Sequence, residues 1–342
     1  MSDDPSTNDG DDPLASATVL LTGAHGTVGT AVTAHSAAEY VLLDRREAPD
    51  ELGDGTPHPH RKDEETTDGD RADGGTETGT DGTVVLDVGE PDAAESLAAV
   101  MEDRGIDAVV HLAGTPAVST PYETVERSNV RGTRNVLEAA SRAGVDTIVF
   151  ASSNHAVGMY EEQHAPSLYD PDYDLTVDGE SPQRPDSDYG ASKAAGEAWC
   201  RLYAEREGID CYALRIGSVR DPTHDHPFGD AERAVARGDC ERGDEAYAEA
   251  VARMRCTWLS RRDCAGLVDA CLRDGLDRGA ERGGDGGRDV DDLNPNTLAG
   301  GAFEVFYGIS DNPNSWFDIE HARERVGYDP SASGNAMSKP PE

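Results

Sequence analysis

Short apolar runs recur along the chain, each separated from the next by a longer stretch of helical character. Residues 18–22 (Thr-Val-Leu-Leu-Thr) read as a strand buried on both faces, because the run is apolar without alternation. A glycine-rich turn follows and opens a helix through about residue 40, and residues 41–44 form a second run. Further runs at 84–87, 106–112, 147–151 and 211–216 alternate with helical patterns over 92–104, 124–143 and 189–207. Repeated strand–helix alternation predicts an α/β fold, a doubly wound parallel sheet covered by helices on both faces.

The pattern lapses in several places. Residues 1–15 are acidic and polar and read as a disordered tail. Residues 49–83 are Gly, Asp, Thr and His with almost nothing apolar, a low-complexity loop inserted between strands. Past residue 218 come an acidic helical stretch (231–255) and a helix over 262–272. A second Gly/Asp/Arg-rich insertion covers 275–301, before a strand at 303–307 and a short helix at 319–326. Residues 331–342 read as a loose tail. The division expected is a sheet domain over 16–218 and a smaller substrate-covering region over 219–330 interleaved with it.

Composition narrows the partners. The 342 residues carry a net charge of −38, which argues against nucleic acid or an anionic membrane as a partner. Hydrophobic residues at 36%, arranged in periodic runs, exclude an acidic disordered protein for most of the length. A surface adapted to high salt fits better, because at about 1 M salt the screening length falls to ~3 Å and self-repulsion is tamed. The six cysteines all fall in the second half without a C-x-x-C pair, so neither a zinc site nor a disulfide framework is expected. His58-Pro-His60 lacks further ligands in its loop and reads as incidental rather than as a metal site. No signal-like segment precedes the first strand, and no apolar run nears the ~20 residues that span a bilayer, so a cytoplasmic setting with free thiols is expected.

Two patterns carry chemistry. Gly23, Gly26 and Gly29 are spaced three apart between the first strand and first helix. Glycines there allow a sharp turn and let a diphosphate approach the N–H groups at the helix start, which points to a dinucleotide. Asp44 ends the second strand, where a carboxylate accepts from a ribose 2′-hydroxyl and repels a 2′-phosphate; NAD is therefore expected, with Arg45 and Arg46 softening the preference. The second pattern is Tyr189-Gly-Ala-Ser-Lys193. The chain has three lysines, Lys62, Lys193 and Lys339, and only Lys193 falls in text that reads as folded. Four residues apart on a helix, the phenol and the ammonium share a face. A cation beside a phenol favours the phenolate and makes a tuned base.

With Asp87-Val88, His111-Leu-Ala-Gly114, Asn129-x-x-Gly132-Thr133 and Ser152-Ser153 added, the chain resembles the extended short-chain dehydrogenase/reductase superfamily, the NAD-dependent epimerase/dehydratase group, over about 19–330 apart from the two insertions. The resemblance implies a Rossmann fold binding NAD through Gly23, Gly26, Thr27, Val28, Gly29, Asp44, Asp87, Val88, Leu112, Ala113, Gly114, Asn129, Tyr189, Lys193 and Ile216. It implies that Asp87 holds the adenine, that Tyr189 is the acid/base, and that Lys193 binds the nicotinamide ribose. Ser153 would orient the substrate hydroxyl. Helix-pair dimers are common in that superfamily, so a homo-oligomer is compatible with the resemblance and its state is left open.

A narrower likeness sits in Phe150-Ala-Ser-Ser-Asn-His-Ala-Val-Gly158, Leu214-Arg-Ile-Gly-Ser218, Arg253-Met-x-x-Thr-Trp-Leu-Ser260 and Tyr307-Gly-Ile-Ser-Asp-Asn312. These resemble uronate dehydrogenases and archaeal NAD-dependent glucose-6-phosphate dehydrogenases. That likeness implies an anionic sugar substrate, contacted by Ser153, Asn154, His155 and Ser218, with Arg253 on its anionic end. An Arg fork suits a carboxylate or a phosphate equally. Residues 221–252 form an acidic insertion where uronate dehydrogenases are short. The expected activity is NAD-dependent oxidation of an anomeric hydroxyl to a lactone. A nucleotide-sugar epimerase or dehydratase with retained NAD is the first rival, although Asn154 and His155 stand where dehydratases usually carry an acidic pair. A non-catalytic NAD-binding regulator is the second, weakened by the retention of Lys193.

Dialysis from molar KCl into dilute buffer should abolish the helical circular-dichroism signal. Full native structure in dilute buffer would overturn the high-salt reading.

Overall fold

The computed structural model describes residues 12–47, 77–283 and 300–341. Eight strands form one sheet: β1 (Thr18–Thr22), β2 (Glu39–Asp44), β3 (Glu77–Thr78), β4 (Val84–Val85), β5 (Ala108–His111), β6 (Thr147–Ser153), β7 (Asp210–Ile216) and β8 (Phe303–Gly308). Their order is β3-β4-β2-β1-β5-β6-β7-β8, parallel throughout except for β3. The order therefore reverses between β1 and β5, the position where an open α/β sheet parts its connections and leaves a crevice.

Each strand feeds both faces, as its period of two requires. Val19 and Leu21, Val149 and Ala151, Tyr212 and Leu214 belong to one core cluster. Leu20, Ile148, Phe150, Cys211 and Ala213 belong to the other. The helices are α1 (Thr27–His35), α2 (Ala93–Arg104), α3 (Tyr122–Val125), α4 (Gly132–Ala143), α5 (Met159–His164), α6 (Asp188–Glu207), α7 (Gly229–Arg237), α8 (Glu245–Thr257), α9 (Arg261–Gly283) and α10 (Glu320–Val326). Alpha-helices α1 and α9 cover the first face, and α2, α4 and α6 the second. A six-residue π-helical turn, Glu126–Arg131, joins α3 to α4. Such turns re-aim side chains, and this one carries Asn129.

Several boundaries differ from the sequence-based expectation, each for a visible reason. Helix α1 stops at His35 because Ser36 Oγ and the Ala37 N–H turn to the Asp269 carboxylate at 2.5 and 2.9 Å, which releases residues 39 and 40 into β2. The insertion expected over 49–83 is ordered at its end: β3 pairs with β4, and Thr83 is fully buried. The rest of it, with His58 and His60, lies outside the described residues. Helix α9 runs on to Gly283 through text expected to be a loop, since Arg278 and Arg282 reach the buried Asp210 carboxylate at 3.3 and 2.8 Å. Asp210 also accepts from the Ala302 N–H at 2.7 Å, which starts β8.

Both expected tails are partly docked. Asp12 pairs with Arg273, and Leu14 is buried. At the other end the N–H groups of Ser331 and Ala332 donate to Asp263 at 2.9 and 3.1 Å, and Gly334 donates to Asn312 at 2.7 Å. The acidic stretch past 218 is two helices rather than one, broken at Gly238, whose φ is +78°. Phe228, just before α7, and Ala231 within it pack with Val251 from α8 in a small core of their own. No helix among the described residues is long and apolar enough to cross a membrane.

Candidate active site

A cleft of two connected lobes opens along the C-terminal ends of the strands where their order reverses. One lobe has a volume of about 710 Å³ and the other about 510 Å³, and both touch Gly23, Gly26, Leu112 and Gly114. Thr27, Val28, Gly29, Ser153, Asn154, His155, Tyr189, Lys193, Ile216, Ser218 and Arg253 line the larger lobe. Asp44, Asp87, Val88 and Ala113 line the smaller. Of the residues expected to contact cofactor or substrate, Asn129 alone stands behind the wall.

The β1–α1 turn is built by close approach. Gly23 has a φ of +74°, and a Cβ there would lie 2.7 Å from the Ala113 nitrogen. At Gly29 a Cβ would lie 2.4 Å from the Gly23 oxygen. Side chains at either position would push α1 off the sheet and close the space before its first N–H groups, which have no partner within the helix. Asp44 accepts from the His25 N–H at 3.1 Å, fixing its carboxylate at the rim of the smaller lobe. Asp87 faces the same lobe, bonded to the Gly89 N–H at 2.8 Å and ion-paired with Arg127. Asn129, fully buried, accepts from the Thr115 N–H at 2.7 Å and donates to Ser192 Oγ at 3.0 Å. It braces the Gly114–Thr115 turn against α6. His111 bridges the hydroxyls of Thr22 and Thr133 at 2.8 and 3.2 Å, and burial holds its pKa down to about 3, so it stays neutral.

Three consecutive residues at the end of β6 meet one face of α6. Lys193 Nζ donates to the Ala151 carbonyl at 2.7 Å. Ser152 Oγ donates to Glu197 at 2.5 Å. Ser153 Oγ neighbours the Tyr189 phenol and lowers its pKa in part. Tyr189, Lys193 and Glu197 are each four residues apart, so they form a single stripe on the helix. Glu197 also takes the fork of Arg215 at 2.9 and 2.8 Å, and both side chains are 2% exposed. Ser187 caps the helix by accepting from the Gly190 N–H at 3.0 Å.

The electrostatics of this stripe differ from the simple tuned-base expectation. Burial raises the Tyr189 pKa, with the Ser153 hydroxyl offsetting part of the rise. Burial also pushes Lys193 down to about 8. The ammonium lies 5.8 Å from the phenol ring centroid, with its hydrogen bond on Ala151. Desolvation penalises the charged form of both groups, which keeps the phenol neutral and makes the ammonium easier to deprotonate than in water.

The far wall carries the sugar-side candidates. His155 Nδ1 lies 2.6 Å from Asp186 Oδ2, and its ring meets Tyr189 edge-on with centroids 5.7 Å apart. Burial raises the Asp186 pKa, but the hydrogen bonds from His155 and Ser187 hold it below the usual carboxylate range. Ser218 Oγ is 3.0 Å from Thr257 Oγ1 at the start of the covering region. Arg253, expected to hold an anion, sets its fork on Glu161 at 2.6 and 3.0 Å, and Tyr169 donates to the same carboxylate at 2.8 Å. Arg220, Arg233 and Arg261 join it in lining the lobe.

Residues 19–245 match the model of the NAD dependent epimerase/dehydratase family. The chain belongs to that family. It is 34% identical to an NAD-dependent glucose-6-phosphate dehydrogenase of Haloferax volcanii over 91% of this chain and 92% of the relative. It is 30% identical to a uronate dehydrogenase of Pseudomonas syringae pv. tomato over 74% of this chain and 67% of the relative. Among solved structures, a glucuronic acid dehydrogenase from Chromohalobacter salexigens superposes with a TM-score of 0.58 at 26% identity, covering 93% of this chain and 86% of that one. The chain is accordingly an NAD-dependent enzyme of the extended short-chain dehydrogenase/reductase type.

The cleft suits the family's cofactor. The cradle that a Cβ on Gly23 or Gly29 would fill lies before the open N–H groups of α1. Arg261, 5% exposed, rests its guanidinium on Thr27 O and Thr30 Oγ1 at 3.2 Å each, adding positive charge where a diphosphate requires it. Sequence reading missed Arg261, Arg233, Asp186 and Glu161. The signal for Asp186 was its place three residues before Tyr189; the arginines stood out only as cations in acidic text.

Lys193 should cost stability while serving activity. With its folded pKa near 8 against 10.5 for a lysine in water, the unfolded chain binds more protons between those values, so this contribution improves as pH rises through that window. Cofactor-free Lys193→Met is expected to be more stable than the parent at pH 7 by on the order of 1 to 3 kcal/mol, the gap closing toward pH 10.5, and to be inactive. Thermal melts at pH 7 and 10 in molar KCl read this out. A variant less stable at both would contradict the desolvation of Lys193.

Proposed function

We propose that the chain is a sugar dehydrogenase that oxidises the anomeric C1 hydroxyl of a hexuronate or a hexose 6-phosphate to the lactone. NAD supplies the hydride acceptor. Tyr189, as phenolate, takes the proton of the C1 hydroxyl as hydride leaves C1, so the C1–H and O–H bonds break and a C1=O bond forms. Lys193 lowers the cost of the phenolate, and Ser153 aligns the hydroxyl. Asp186 keeps the proton of His155 on Nδ1, which leaves Nε2 free to accept from a sugar hydroxyl. Asn154 and Ser218 contribute further polar contacts. The anionic end of the sugar faces the arginines that include Arg253.

One observation carries this reading: the lobe holding Ser153, Tyr189 and Lys193 is lined by four arginines and a single carboxylate, Asp221, in a chain of net charge −38. Such a surface repels an anionic substrate unless the site itself is cationic. The names of the relatives support the substrate class, since glucose 6-phosphate and a uronate both carry an anion at the C6 end and a free anomeric centre. We place the reaction in a salt-rich cytoplasm, on the strength of that charge.

Tyr189→Phe should lower kcat by at least about a hundredfold while leaving NADH binding, followed by fluorescence, within a few-fold of the parent. An active Tyr189→Phe enzyme would remove the phenol from the mechanism.

A further inference from the structure

The four arginines of the larger lobe are not equivalent. Arg220 sets its fork on Asp230. Arg253 sets its fork on Glu161, and although burial works against its charge, Glu161 holds it ionised. Arg261 lies against the first turn of α1, and its guanidinium bonds only neutral acceptors, at the place suited to a cofactor diphosphate. The Arg233 side chain is half-buried and makes no hydrogen bond or ion pair among the described residues. The two carboxylates whose field it feels, Asp221 and Asp230, are already engaged, Asp221 by His224 at 2.9 Å and Asp230 by Arg220.

Arg233 is not on a loose surface helix. Its helix α7 is tied to the loop after β7 through the Arg220–Asp230 pair. It is packed through Phe228 and Ala231 onto α8. Glu232 is held from outside by Arg242 and by the Tyr247 hydroxyl at 2.6 Å. The side chain that this scaffold turns into the lobe is a cation with its fork open. A guanidinium in that state suits a carboxylate or a phosphate, each of which takes two parallel hydrogen bonds. Arg253 has its Nε and Nη2 edge on Glu161, so an anion there meets only its remaining Nη1 side, with the Glu161 carboxylate already offsetting the charge.

We infer that Arg233, carried in by the 221–252 insertion, is the residue that binds the anionic group of the sugar, while Arg253 positions the wall of the lobe through Glu161. This assignment rests on the sugar dehydrogenase reading and adds a specificity role for the insertion. It divides the cationic lobe between cofactor (Arg261), substrate (Arg233) and scaffold (Arg220 and Arg253).

The test is steady-state kinetics of the full chain in about 2 M KCl, with whichever hexuronate or hexose 6-phosphate the parent turns over. Arg233→Ala should raise KM for that sugar about ten- to a hundredfold, the loss of a hydrogen-bonded charge pair. Its kcat, NADH affinity and Tm should stay near the parent's, and Arg233→Lys should recover part of the KM. Arg253→Ala should instead lower Tm, because it strands Glu161. A KM within twofold of the parent in Arg233→Ala, or a rise confined to Arg253→Ala with its Tm unchanged, would overturn the assignment and leave the sugar dehydrogenase reading standing. A parent that reduces NAD with none of the anionic sugars would overturn both.

Discussion

Everything at the catalytic end of this molecule hangs on how α6 is fastened to the ends of β6 and β7. The fastening is the buried ion pair of Glu197 and Arg215, with Ser152, Gln183 and Tyr307 completing its hydrogen bonds. A buried pair of this kind adds little net stability over an apolar pair of the same shape, but breaking it leaves an uncompensated charge and costs about 3 to 5 kcal/mol. It is therefore better at fixing a geometry than at holding a fold together. Because Glu197, Lys193 and Tyr189 share one helical stripe, the register set by Glu197 also sets the phenol against Ser153 and the ammonium against Ala151. The nucleotide end is fixed independently, by the approach of Gly23 to the β5 turn.

Much of this was legible in the chain because strands buried on both faces write themselves as unbroken apolar runs. β1, β6 and β7 are of this type, and the expected parallel sheet follows from them. The parts that escaped share a physical cause: their order is imposed from far away in sequence. The last turns of α9 look like a loop and are held by Asp210, 72 residues before Arg282. The C-terminal tail is held by Asp263, 68 residues before Ser331. Composition cannot reveal a partner at that distance.

The site divides in the same way. The glycines, Tyr189 and Lys193 announce themselves by local spacing, and all of them line the cleft. Asp186 and Glu161 touch the site through His155 and Arg253, and it takes the folded chain to show those pairings. Arg253 lines the cleft with its Nε and Nη2 on Glu161, a partner 92 residues away that local spacing does not announce. The covering region thus changes the chemistry that a shared sheet offers. It brings four arginines to one cleft of a chain whose net charge is −38, and so reverses the local field there.

The most direct test of the account is NADH formation, followed by absorbance at 340 nm in about 2 M KCl, across hexuronates, hexose 6-phosphates and neutral aldoses. The account predicts NADH accumulating in solution with an anionic sugar. Folded protein that holds NAD but forms no NADH with any of them would contradict it, and would point to an epimerase that returns the hydride to its substrate.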